Sequence, residues 1–192
     1  MEYQIIENHF IKLSECFLSF GANPTENINR LVALCGELMG ATCALYNRLD
    51  GDILCSIGRW NTPSDCSLAD KAEGHICYDV IKYASDDIVF IRHLQNTPYV
   101  NSDVNVKKYG FETYIGRAVK FNGEYRGALC VVYHKDFVPS SEEERLMELI
   151  ASAIGIKEEQ NSIMEEFKKS SEEKDIILNN MLELVVYQDG AN

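Results

Sequence analysis

The stretch EGHICYDVIKY, Glu73 to Tyr83, sets a histidine two residues before a cysteine where a helix is expected to begin. Imidazole and thiolate at close range can hold a metal ion or make a nucleophile. On a helix, however, residues two apart sit about 200° apart around the axis. His75 and Cys77 therefore cannot share one ion while both are helical. No second close Cys/His pair follows at zinc spacing. Cys130 and His134 are four apart but lie on or just beyond a predicted strand, so no metal site is expected. As a nucleophile, Cys77 would need an activating base and a lowered pKa. Ile76, Cys77, Val80, Ile81 and Ala84 line up as one apolar helix face, and the thiol is expected to be a small buried hydrophobe.

With Cys77, the cysteines Cys16, Cys35, Cys43, Cys55, Cys66 and Cys130 make seven, an odd total with no framework spacing. Most fall in apolar stretches, which suits reduced thiols in a cytoplasmic protein. The opening MEYQIIENHF has neither a basic segment nor a long apolar one, so no signal peptide is expected. No run reaches the roughly 18 apolar residues of a membrane span. The net charge of −12 argues against nucleic acid and anionic lipid as partners. From Pro139 onward there are 13 acids and 5 bases, so most of the acidity belongs to the C-terminal segment. No Gly-rich phosphate cradle is present, which speaks against nucleoside triphosphate chemistry.

These residues need elements to position them. Tyr3, Ile6, Phe10, Leu13, Phe17 and Phe20 alternate spacings of three and four, which predicts an N-terminal helix ending at Gly21. Asn23, Pro24 and Glu26 start a second helix running to about Met39. Strands are predicted at Thr42–Leu49 and Ile53–Trp60, hinged at Asp50-Gly51-Asp52. NTPSDCSLADKA reads as a loop, the opening stretch as a helix to about Ala84, and DDIVFIRHL as a strand. TPYVNSDVNVKKYG reads as a loop holding a short helix that Gly110 ends. FETYIGRAVKF and EYRGALCVVYH make a second hairpin about Asn122-Gly123, a type I′ signal.

After Pro139 a long helix is predicted, capped by Ser140 or Ser141 with glutamates in its first turn. Leu146, Leu149, Ala153, Ile156, Gln160, Ile163 and Phe167 form a coiled-coil-like seam. Up to Ile156 this suits a helix lying on its own domain; beyond it, a partner helix is expected. The order predicts an α+β fold, a mostly antiparallel sheet of five or six strands with helices on both faces.

The run GHICYDVIKYASDDIVFIRHLQNTPYVNSDVNVKKYGFETYIGRAVKFNGEYRGALCVVY resembles a GAF domain, the small-molecule sensing module of many bacterial signalling proteins. The likeness spans about Glu26 to Gly155, although many members have Pro where Ala118 stands. DIILNNMLELVVYQD, Asp175 to Asp189, is similar to the entry of a PAS domain. The resemblance implies an N-terminal helix over 1–22, a GAF sensor domain over 23–155, a coiled-coil linker helix over 156–182 and the start of a truncated PAS domain over 183–192. It further implies a cytoplasmic homodimer, relaying a small ligand's state to a PAS domain and a histidine kinase or similar output in a two-component system.

On that resemblance, the ligand pocket is expected from Trp60, Ile76, Cys77, Val80, Phe90, His93, Tyr99, Tyr109, Phe111 and Tyr114. Aromatic walls with a few polar tips suit a small ligand, and equally suit a plain core. The ligand and any cofactor are unknown from sequence, and cyclic nucleotides stay open. Some GAF domains carry haem or bilin; His93 and His75 are candidate axial ligands, but no Cys-His pair for bilin attachment occurs. Alternatives are a thiol-redox sensor or reductase using Cys66 and Cys77, and a degenerate domain serving only dimerisation.

Overall fold

The computed structural model describes the backbone of residues 2–189 and the side chains of residues 7–177. Helix α1, Glu2–Leu18, leans Leu13 and Cys16 on the core and leaves Phe10 and Leu18 exposed. Tyr3 and Ile6 of the expected seam lie outside the described side chains. Helix α2, Pro24–Leu38, starts where the Asn23 side chain accepts from the backbone N–H of Thr25 and Glu26, with Pro24 in the first turn. Ile28, Leu31, Val32 and Cys35 make its buried face.

Strands β1 (Cys43–Asp50) and β2 (Ile53–Trp60) form the expected first hairpin. The predicted loop after Trp60 holds a third strand, β3 (Ala69–Lys71), which pairs along the edge at β2. Helix α3 (Ile76–Lys82), strand β4 (Val89–Ile91), a 3-10 turn at Leu94–Asn96, and helices α4 (Tyr99–Ser102) and α5 (Val104–Tyr109) follow. Strands β5 (Thr113–Phe121) and β6 (Glu124–Tyr133) form the second hairpin. Its turn needs two left-handed residues, and Asn122 and Gly123 sit at φ 51° and 80°.

The six strands run in the order β3-β2-β1-β6-β5-β4, and every neighbouring pair is antiparallel. Successive side chains alternate faces, so the sheet serves two cores. On one face Ala44, Tyr46, Leu129 and Val131 pack against α2 and against Met147, Ile150 and Ile154 of the last helix, α6 (Ser141–Asp189). On the other, Cys43, Ala128, Cys130 and Val132 pack against α3, Leu94, Val106 and Phe111.

Helix α6 opens with a capping box: Ser140 Oγ accepts from Glu143 N–H, and the Glu143 carboxylate accepts from Ser140 N–H at 2.7 Å. It remains helical through Asp189. The chain forms two compact units, residues 1–158 and 159–192. No helix among the described residues is long and apolar enough to cross a membrane.

Candidate functional site

Strand β1 sets up the site by alternation. Ala44 and Tyr46 point to one side of the sheet, while Cys43, Leu45 and Asn47 line a cavity on the other. Its floor continues over Leu54 and Ser56 of β2, Cys130 and Val132 of β6 and Tyr114 of β5. Its cover is Ile76 and Cys77 from α3, Leu94, and Asp103 to Phe111 about α5, with Thr62, Pro63, Cys66 and Ser67 of the loop after β2. The cavity is partly open, with a volume of about 80 Å³.

Two tyrosines latch the cover. Tyr99 O–H donates to Asp79 at 2.9 Å, tying α4 to α3, and Tyr109 O–H donates to Asp65 at 3.1 Å, tying α5 to the loop. Burial, then the Asp79 hydrogen bond, pushes the Tyr99 phenol up to about 12. A second hollow of about 330 Å³ lies beside the cavity, walled by Thr62, Pro63, Tyr109, Phe111 and His134. Phe111 stacks on the His134 ring there, 5.5 Å between centroids.

Polar groups converge on the wall at α3. The Asp103 carboxylate accepts from Ile76 N–H at 3.1 Å and from Asn105 N–H at 3.0 Å, so one side chain fixes the start of α3 and caps α5. His75 Nδ1 lies 3.2 Å from the same carboxylate, and that hydrogen bond raises the imidazole above its ordinary range. Nearby, Ser56 O–H donates to Asn47 Oδ1 at 2.7 Å. This orients the amide so that its Nδ2 donates to Cys77 Sγ at 3.3 Å. Tyr114 Oη lies 3.4 Å from that sulfur and Cys130 Sγ 3.6 Å from it.

Of the expected pocket residues, Ile76, Cys77, Tyr109, Phe111 and Tyr114 line the cavity. Val80 is buried one turn further along α3, outside the lining. Trp60 belongs to the opposite core, its ring over Gly36 of α2. Phe90 sits on β4 at the sheet edge, half exposed. His93 is on the surface, 2.8 Å from Glu112. Tyr99 holds the cover from outside. Sequence reasoning missed Asn47, Ser56, Asp103 and Cys130 as lining residues. The signal for Asn47 was legible: it continues the Cys43, Leu45 alternation, which puts an amide on an apolar face.

The chain thus forms an α+β domain with a cavity between an antiparallel sheet and a run of short helices. The GAF domain model matches residues 23–157, and the chain belongs to this family. GAF domains are sensory and regulatory modules, generally without catalysis of their own. The structure resembles the NLH2 GAF domain of A. aeolicus in an inactive state, with TM-score 0.63 and 13% identity over 82% of this chain and 99% of that one. It also resembles the GAF domain of Acinetobacter phosphoenolpyruvate-protein phosphotransferase, at 0.65 and 11% over 84% and 98%. A third likeness is to type II free methionine-R-sulfoxide reductase from Thermoplasma acidophilum, at 0.55 and 17% over 70% and 94%. Such low identities speak for a shared fold alone. No curated protein matches the chain in sequence.

Proposed function

We propose that the chain is a non-catalytic sensory module that binds a small ligand in the cavity between the sheet and the α3–α5 cover. It passes the ligand's state through paired terminal helices to downstream PAS and histidine-kinase-type domains of a cytoplasmic signalling protein. The observation that carries this reading is the cavity itself: apolar walls around a few fixed polar groups, its cover held by hydrogen-bonded latches. The relay requires the ligand to bind two arrangements of the cover or helices with different affinity.

Size narrows the ligand. A space of about 80 Å³ holds a small metabolite. It is well below the roughly 300–1,000 Å³ of sites for drug-sized molecules, a range that only the adjoining hollow of about 330 Å³ reaches. Exposed apolar residues Phe10 and Phe17 of α1, and Ile163 and Phe167 of α6, support pairing with a second copy.

A thermal-shift screen of small metabolites and cyclic nucleotides, followed by native mass spectrometry of any hit, tests the reading. A true ligand at 100 times its Kd adds about 2.7 kcal/mol of stability. If no compound raises the melting temperature, the sensing proposal falls.

A further inference from the structure

We propose that Cys77 and Cys130 form a peroxide-reactive dithiol inside the cavity, Cys77 as the attacking thiolate and Cys130 as the resolving thiol. The inference shares the cavity with the ligand proposal but needs no ligand.

The geometry around Cys77 Sγ carries it. A buried thiol used as a small hydrophobe packs among carbon atoms. This sulfur instead meets Asn47 Nδ2 at 3.3 Å, Tyr114 Oη at 3.4 Å and Cys130 Sγ at 3.6 Å. Ser56 holds the Asn47 amide so that its N–H, not its oxygen, faces the sulfur. The surroundings thus suit a thiolate, which accepts from all three. Those hydrogen bonds, Cys130's first, draw the Cys77 thiol below its usual range against the opposing pull of burial. Cys130, beside that sulfur and deeply buried, is pushed well up and keeps its proton. Both cysteines line the cavity, whose space admits molecules of water or hydrogen peroxide size.

The chemistry balances with a hydroperoxide as oxidant. Cys77 thiolate attacks one peroxide oxygen, the O–O bond breaks, and the sulfur becomes a sulfenic acid while the other oxygen leaves as alcohol or water after taking a proton. Cys130 sulfur then attacks Cys77 sulfur, the S–O bond breaks, and hydroxide leaves with the Cys130 proton as water. Two thiols are oxidised to one disulfide and one hydroperoxide is reduced. The new bond would tie α3 to β6, joining the cover to the floor.

The test is hydrogen peroxide titration of the full chain, with free thiols alkylated under denaturing conditions and the peptides mapped. We expect a Cys77–Cys130 linkage, formed about tenfold faster at pH 7 than oxidation of the more exposed Cys66. Cys130→Ala should stop at a sulfenic acid on Cys77 that a 1,3-dione traps, and Asn47→Leu should slow its formation. The proposal is overturned if Cys77 and Cys130 stay reduced while Cys66 oxidises, or if Cys77 in Cys130→Ala is no more reactive than Cys66. Thermal-shift ligand binding under reducing conditions is scored separately, so either proposal can fail while the other stands.

Discussion

At the scale of single residues, the site depends on Asp103 more than on any aromatic. Its carboxylate is 6% exposed and serves Ile76 N–H, Asn105 N–H and His75 together. Asp103→Ala leaves buried donors without that partner, and we expect a loss of about 3 kcal/mol in urea unfolding, with α3 and α5 loosened together. The same pair sets a pH dependence. His75 has a folded pKa above its unfolded one because it gains the Asp103 hydrogen bond. Its contribution is therefore full below the unfolded value of about 6.5 and fades as pH rises through the folded value. Denaturation midpoints measured from pH 5.5 to 9 should fall over that window in the native chain. His75→Gln should flatten this component; an unchanged slope would remove the assignment. Neither role was visible from spacing, because Asp103 and His75 lie 28 positions apart and meet only through the fold. Helical spacing does not itself separate His75 from Cys77, because His75 is the extended residue just before the first helical one; its turn toward Asp103 is what separates it from Cys77.

At the scale of elements, local signals were legible and face assignments were not. Asn23, the Asn122-Gly123 turn and the Ser140 box are decided by residues within four positions, so sequence alone placed α2, the second hairpin and the start of α6. Strand β3 has three residues and gains its order from pairing with β2, which leaves almost no periodic trace. Trp60 illustrates the harder problem. Plain alternation would put Trp60 on the cavity face with Leu54 and Ser56, but a bulge opposite Tyr46 and Asn47 skips Ile57 and flips the parity of the rest of β2. Trp60 faces α2, where a Cβ on Gly36 would lie 2.1 Å from its ring. Gly36→Ala must displace the indole or lift α2. We expect a loss of about 2 kcal/mol from overpacking, despite the gain in helix propensity, with Trp fluorescence altered in the folded state. An unchanged stability and spectrum would show that the helix shifts freely.

At the scale of the whole molecule, β1 links the two cores. Asn47 reaches into the cavity, and the next residue, Arg48, reaches the opposite face, where its guanidinium lies 3.1 Å from Glu158 of α6. Glu158 is 1% exposed, so this ion pair fastens the helix at the end of the first compact unit. Removing one partner of a buried pair costs far more than its Coulomb gain suggests. Arg48→Ala should therefore cost about 3 kcal/mol in denaturant unfolding. Arg48→Lys, which keeps the charge, should recover part of that loss. If the ligand biases the helices through β1, Arg48→Ala should also weaken any response at the helices while leaving the cavity side of the strand in place.

Beyond that anchor, the sequence seam becomes a statement about partners. Ile163 and Phe167 lie past it, 65% and 76% exposed; Leu149 and Ile156 before it, expected to rest on their own domain, are instead 47% and 55% exposed. So many large apolar side chains in one register are costly to leave in water, at roughly 25 cal/mol per Å² of apolar surface. A second copy of the helix offers the same stripe and keeps the heptad register. Multi-angle light scattering of the full chain at tens of micromolar should then report a dimer. Ile163→Lys with Phe167→Lys, on residues already exposed and outside the first compact unit, should give a folded monomer with an unchanged melting transition for the sensor domain. A monomeric native chain, or a double variant still dimeric, would reject pairing through this stripe. The first outcome would also remove the helix relay from the functional proposal, because a ligand bound in the cavity would have no paired helices through which to act.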